Sequence, residues 1–281
     1  MEDIPLSVPH LDGNEWKYIK ECLDTNWVSS AGKYVEKFEE EMAEYMGVNN
    51  GVAAVNGTAA IHTALNVLGV KEGDKVLVPA LTFIASVNPV KYCNADPIFV
   101  DSEKETYNMD PVKLEKTIKN LIEIGKKPKA VIVVHLYGQP AKIEEIVDVC
   151  NKYDIYLIED ATESLGSKYK EDMTGSFGDI SCFSFNGNKL ITTGGGGMLV
   201  TDNDKWAEKA RYLTTQAKDD PVQFIHEKIG YNYRLTNIQA AMGVAQLEQI
   251  NEFIDKKRYI NDFYCDNLND ISGITVTREA N

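Results

Sequence analysis

Between residues 50 and 161 the chain alternates short, continuously apolar runs with helix-periodic segments, and this alternation limits the fold more than any other feature. "GVAAV" ends at Val55, the turn Asn56–Gly57 follows, and a helical segment runs to Gly69. "KVLVPA", "PIFVD", "AVIVVHLYG" and "IYLIEDA" read as further strands, with residues 142–152 among the helices between them. A strand apolar at successive positions is buried on both faces, and a helical crossover makes successive strands parallel. The expected class is therefore α/β, a mostly parallel sheet covered by helices. Asp110–Pro111 supplies a cap and a first-turn proline for one of those helices. Upstream, Trp16, Ile19 and Leu23 share a helical face, as do Phe38, Met42, Tyr45 and Met46, with Gly47 as a stop.

In such sheets ligands gather beyond the carboxyl ends of the strands. That rule selects Gly57–Thr58, Thr82–Phe83, His135, Gly138 and Asp160, together with Lys189, just past the apolar "CFSF". Lys189 stands in "SFNGNKLITTGGGGM", ahead of the glycines at 194–197. Ordering glycine loses more conformational entropy than ordering any other residue. Such a run is either a slack loop or a place where something approaches the backbone closely, and it is not expected inside a helix or an ordinary strand.

Composition narrows the partners. The chain has 29 basic against 43 acidic residues and a formal charge of −14, which repels phosphate backbones and excludes general nucleic-acid binding. "MEDIPLSVPH" lacks the basic start and apolar core of a signal peptide, and no apolar run approaches the roughly 20 residues that cross a bilayer. Cys22, Cys93, Cys150, Cys182 and Cys265 are widely spaced with no C-x-x-C, which fits free thiols in a reducing cytoplasm. His10, His62, His135 and His226 have no paired ligand spacing, so no metal site is expected.

A lysine, an aspartate at a strand end and a helix N-terminus in one crevice match the needs of pyridoxal 5′-phosphate. Its aldehyde takes a lysine amine, its pyridine nitrogen needs an anionic partner, and its phosphate needs backbone N–H donors. Asn56–Gly57–Thr58–Ala59 offers such donors at a helix start. Each residue also has an ordinary use. The turn can be a plain capped helix, Asp160 a cap, Phe83 core, Ser184 a loop hydroxyl and Asn232 a turn residue.

The ordered motifs "GNEWKYIKECLDTNWVSS", "NGTAAIHTAL", "PALTFIASVNPV", "HLYGQP", "EDATESLG", "SFNGNK" and "GYNYRLTNIQAAMGVAQLEQ" span nearly the whole chain. In them the chain resembles the DegT/DnrJ/EryC1/StrS sugar aminotransferases, of the aspartate-aminotransferase fold (fold type I). The resemblance implies Lys189 as the Schiff-base lysine and Asp160 as partner of the pyridine nitrogen. Gly57, Thr58, Ala59 and Ser184 would hold the phosphate, and Phe83 would lie against the ring. Asn232 would reach the phosphate of a neighbouring subunit, which implies a homodimer with shared sites. The glycines would form a bend that carries Lys189 to the cofactor and lets backbone pack closely. Glu163 stands where the family usually has Gln or His, facing the cofactor's phenolic oxygen. The family also usually reads G-E-G-G where this chain has four glycines.

The implied reaction moves an amino group from L-glutamate to a nucleotide-linked 4-keto-6-deoxy sugar in bacterial surface-glycan synthesis. "EDATESLGS" and "FNGNKLITTGGGGM" resemble the branch that aminates UDP-4-keto-6-deoxy-N-acetylglucosamine in legionaminic-acid and related pathways. Three rival readings stand beside it. A sugar dehydratase of the same fold carries histidine in place of the lysine, a non-catalytic sensor would not need Lys189 and Asp160, and a nicotinamide dehydrogenase lacks its G-x-G-x-x-G here.

Residues 1–240 are expected to form a large cofactor-binding domain. Residues 241–281 are expected to form a connecting helix and the start of a small C-terminal domain, which family members complete with a further stretch. Leu247, Ile250, Phe253 and Ile254 read as one long amphipathic helix, and "ISGITVTREAN" as a strand beginning.

Overall fold

The structure, a computed structural model, describes residue 5, residues 7–220 and residues 222–278. Helices α1 (Glu15–Asp24) and α2 (Lys33–Met46) come first, then β1 (Asn50–Ala54) and α3 (Gly57–Val67). β2 (Lys75–Pro79) leads through a 3-10 turn at Ile84–Ser86 into α4 (Asn88–Tyr92) and β3 (Asp96–Val100). α5 (Pro111–Glu123), β4 (Ala130–Val134), a 3-10 turn at Leu136–Gly138, α6 (Ile143–Tyr153) and β5 (Tyr156–Asp160) follow. A small ribbon, β6 (Lys168–Tyr169) and β7 (Asp172–Met173), precedes β8 (Ile180–Ser184) and β9 (Gly197–Thr201). α7 (Asp204–Thr214), α8 (Asn237–Leu247) and α9 (Ile250–Leu268) complete the order.

One seven-stranded sheet runs β1-β9-β8-β5-β4-β2-β3. β9 is antiparallel to β1 and β8, and the other neighbouring pairs are parallel. β9 reverses because a loop joins it to β8, whereas a parallel neighbour needs a crossover. Strand alternation then divides the core. Val52, Val76, Val78, Ile132, Ile158 and Leu199 face α3, α4 and α7. Ala53, Phe183, Met198 and Val200 face α2 and α8, while Leu77, Val131, Val133 and Leu157 face α5 and α6. The mostly parallel, doubly covered sheet expected from the sequence is what forms.

Four details differ from the sequence reading. β4 ends at Val134 and "HLYG" leaves the sheet, because Tyr137 (φ 54) and Gly138 (φ 83) turn left-handed. The single helix expected around Leu247–Ile254 is two, α8 and α9, broken at Glu248–Gln249. Its periodicity runs on through the break, and no glycine or proline marks it. The expected division at 240 falls inside α8, whose Ala240, Ala241, Val244 and Leu247 belong to the α2 core. Residues 271–278 form a turn and irregular chain, with no strand beside them among the described residues, and 279–281 lie outside those residues.

All five cysteines are free thiols, and among the described residues no cluster of His, Cys, Asp or Glu could hold a metal ion. No helix among them is long and apolar enough to cross a membrane.

Candidate active site

The carboxyl ends of β1, β2, β4, β5 and β8 open onto one cleft of about 490 Å³. Gly57, Thr58, Phe83, Asp160, Glu163, Ser184 and Lys189 line it. These are seven of the nine residues expected from the sequence, brought together because six strands point the same way. A second cleft of about 710 Å³ adjoins it at Tyr137, Glu163, Asn188 and Lys189 and reaches Ile254, Lys257 and Asn261 of α9.

Asp160 is the last residue of β5 and only 3% exposed. Its Oδ2 accepts the Ser86 hydroxyl at 2.6 Å and its Oδ1 the Thr162 N–H at 3.2 Å. Lys189 Nζ lies 3.3 Å from Glu163 Oε1. The other oxygen, Oε2, accepts the Tyr137 N–H at 2.9 Å. Tyr137 makes that bond from the left-handed region, where a bulky side chain is rare.

The first turn of α3 forms one wall. Asn56 caps it, its Oδ1 accepting the Ala59 N–H at 2.8 Å. Ala59, also expected at this site, is not among the residues that line the cleft, and its amide is bound by the cap. Gly57 and Thr58 remain at the helix start beside the Ser184 side chain. A Cβ on Gly57 would stand 3.0 Å from Ser184 Cβ and 3.2 Å from Thr162 Cγ2, so a larger residue would push the wall away. Phe83, a large apolar side chain 75% exposed, also lines the cleft.

The loop that carries Lys189 is fixed at both ends. Phe185 N–H bonds to the Gly196 carbonyl at 2.8 Å, and Thr193 N–H to the Phe185 carbonyl at 2.9 Å. From α8, Gln246 Oε1 accepts the Thr192 N–H at 3.2 Å and the Gln239 amide donates to the Gly195 carbonyl. Gly194 turns with φ +77. Gly197 starts β9, although a strand was not expected in the glycine run. A Cβ there would lie 2.4 Å from the Asn56 carbonyl carbon and 2.6 Å from Gly57 N. The glycine run therefore presses the lysine loop against the start of α3.

Beneath the cleft, Ala141 N–H donates to His135 Nδ1 at 3.1 Å, so Nε2 carries the proton and donates to Glu159 Oε2 at 2.8 Å. Glu159 also accepts N–H bonds from Gly175, Phe177 and Gly178 at 2.9, 2.7 and 2.6 Å. Burial is the largest single influence on this carboxyl and pushes it up. The His135 hydrogen bond and the backbone donors outweigh burial and hold the carboxyl below its ordinary value.

Asn232 lines neither cleft. It is exposed, in a bridge with Thr215, and nothing in its own chain brings it to Lys189. Sequence reasoning missed Ser86, Tyr137, Glu159, Gln239 and Gln246. Only Glu159 had a signal, the doubled acid at the end of "IYLIED".

Residues 9–281 match the DegT/DnrJ/EryC1/StrS aminotransferase family. GDP-perosamine synthase of Escherichia coli O157:H7 is 48% identical over 280 residues, covering 100% of this chain and 75% of that protein. The aminotransferase TlmJ from Streptoalloteichus hindustanus superposes with a TM-score of 0.93 at 26% identity, covering 99% of this chain and 75% of that one. Helicobacter pylori PseC, an aminotransferase involved in the biosynthesis of pseudoaminic acid, gives 0.89 at 27% identity, over 96% and 72% of the two chains. The sheet, its strand-end cleft and these likenesses agree: the chain belongs to the DegT/DnrJ/EryC1/StrS family of pyridoxal phosphate-dependent sugar aminotransferases.

Proposed function

We propose that this protein moves an amino group from L-glutamate to a nucleotide-linked 4-keto-6-deoxy sugar, with pyridoxal phosphate held in the 490 Å³ cleft. One observation carries the reading: Lys189, the buried Asp160 and the N-terminus of α3 line the same cleft. The donor set fits the cofactor. Lys189 offers an amine for its aldehyde, and Asp160, steadied by Ser86, would keep a proton on its pyridine nitrogen. The amides of Gly57 and Thr58 and the hydroxyl of Ser184 would hold its phosphate, and Phe83 would lie against its ring. Bound there, the cofactor supplies the electron sink that lets nitrogen move between two carbon skeletons. Lys189 Nζ then takes and returns the proton of the reacting carbon, and Glu163 keeps Nζ oriented.

Asn232 completes the partner's phosphate site in a homodimer, which agrees with its exposure and its absence from its own cleft. Free cysteines and an acidic surface support a cytoplasmic setting. Lysine at 189 favours amino transfer over the dehydratase reading. Likeness to a GDP-perosamine synthase at 48% identity brings a GDP-linked keto sugar forward beside the UDP-4-keto-6-deoxy-N-acetylglucosamine expected from sequence.

The test has two parts. Purified protein with cofactor is treated with borohydride and mapped by mass spectrometry, and the adduct is expected on the peptide that holds Lys189. An adduct on another lysine overturns the assignment. Glutamate is then supplied with a panel of GDP-, UDP- and dTDP-linked keto sugars, where a mass change matching conversion of a keto group to an amine identifies the acceptor. No product with any of them overturns the reaction.

A further inference from the structure

Asn232 points outward because both its neighbours are anchored inward. Tyr231 N–H bonds to the Leu213 carbonyl at 2.7 Å and Tyr233 N–H to the Thr214 carbonyl at 3.0 Å. On the far side, Val55 N–H bonds to the Tyr233 carbonyl at 2.7 Å. In this extended segment side chains alternate, so the two tyrosines share one face and Asn232 takes the other. Their rings stack with centroids 4.9 Å apart and 15° between planes.

Behind that stack stands His62 of α3, 4% exposed. Its ring meets Tyr231 edge-on at 4.8 Å, Tyr233 at 5.9 Å and Tyr92 at 5.5 Å. Nδ1 lies 3.3 Å from the Tyr233 hydroxyl. The His62 carbonyl accepts Asn66 Nδ2 at 2.8 Å, and Asn66 Oδ1 accepts the Tyr231 hydroxyl at 3.4 Å. His62 thus reaches both tyrosines that flank Asn232, one directly and one also through Asn66. Burial keeps the imidazole less basic than usual. No part of His62 lines the 490 Å³ cleft of its own chain.

We infer that His62 is a positioning residue that acts across the dimer: by locking the Tyr231–Tyr233 stack it fixes Asn232 for the partner subunit's site, not for its own. The inference rests on the shared-site reading above. Its competitor is action within the same chain, because His62 sits on the helix whose first turn, Gly57–Thr58, forms the local phosphate wall.

Pairing of inactive variants separates the two. Differently tagged full-length subunits are co-expressed, hybrid dimers are isolated, and cofactor dissociation and turnover are both measured. The control pair is Lys189→Ala with Asn232→Ala. His62→Ala homodimers are expected to hold cofactor about tenfold more weakly. If His62 acts across the dimer, a hybrid of His62→Ala with Lys189→Ala regains one intact site, and a hybrid with Asn232→Ala regains none. If it acts within its own chain, the pattern reverses: Asn232→Ala rescues and Lys189→Ala does not. The reversed pattern, or His62→Ala behaving as wild type, overturns the inference. Failure of the control pair overturns the shared-site reading and this inference with it. His62→Phe keeps the ring contacts and loses the Tyr233 hydrogen bond. It provides a folded variant for the same pairing should His62→Ala melt early, with a smaller loss of cofactor affinity expected.

Discussion

Glu159 and Asp160 leave β5 on opposite faces, because successive side chains of a strand alternate. Asp160 enters the cleft with two donors, while Glu159 lies fully buried under it with His135 and the 175–178 turn. The two acids should therefore fail differently. Asp160→Asn keeps the size and an acceptor for Ser86 but cannot hold a proton on the pyridine nitrogen. Turnover should drop roughly a hundredfold, about 3 kcal/mol of barrier, with little change in melting temperature. Near-normal turnover would assign that task to another group. Glu159→Gln should instead lower stability by about 3 kcal/mol, since an NH₂ group would face donors that need an acceptor. The folded carboxyl lies below its ordinary 4.5, so its stabilisation is present above that value and is lost as the pH falls below it. Melting curves across that range should be flatter for Glu159→Gln than for wild type. An unchanged pH slope would show that Glu159 contributes nothing to acid sensitivity.

At the scale of elements, the β8–β9 connection packs the lysine loop against the start of α3, and its glycines have separable reasons. A methyl group on Gly197 would strike the backbone of Asn56 and Gly57 at 2.4 to 2.6 Å. Gly194 needs its positive φ, with open space around it, and a Cβ on Gly195 would meet only Gln239 Nε2 at 4.0 Å. Gly197→Ala should lose about 2 kcal/mol and weaken cofactor binding by shifting the α3 start. Gly194→Ala should lose about 1 kcal/mol through backbone strain alone, leaving cofactor affinity in place. Gly195→Ala should be near neutral. Thermal melts with a cofactor titration would rank the three, and equal effects would return the run to the status of a slack loop. α8 belongs to the same device, because Gln239 and Gln246 hold the loop from a helix packed on α2.

For the whole molecule, the proposed shared site makes activity a property of two chains. Mixing Lys189→Ala with Asn232→Ala subunits gives hybrids with one doubly damaged and one intact site. Random mixing should restore activity to about a quarter of wild type in a symmetric dimer. Verified hybrids no more active than their parents would confine Asn232 to its own chain. Sedimentation at working concentration should give a dimer, and a monomer carrying full activity would remove the shared site altogether.

The order of strands and helices, the capped turn at Asn56 and the place of Lys189 and Asp160 after their strands were legible in the sequence. All are set by local periodicity and by residues a few positions apart. Tertiary structure decided the rest. Ser86 reaches Asp160 across 74 positions, and Glu163 meets Lys189 across 26. Which of two adjacent acids faces the cleft followed from the packing of β5, not from the pair "ED". The break between α8 and α9 has no glycine or proline behind it; α8 is packed against α2, whereas α9 buries little beyond Ile250 and Cys265. The Asn56 side chain turned back onto the amide of Ala59, three residues on. Residues 271–278 stayed irregular with no strand beside them among the described residues, a partner that local composition does not specify. Short-range preferences thus named the elements and the reactive groups, and contacts between distant segments chose which groups meet.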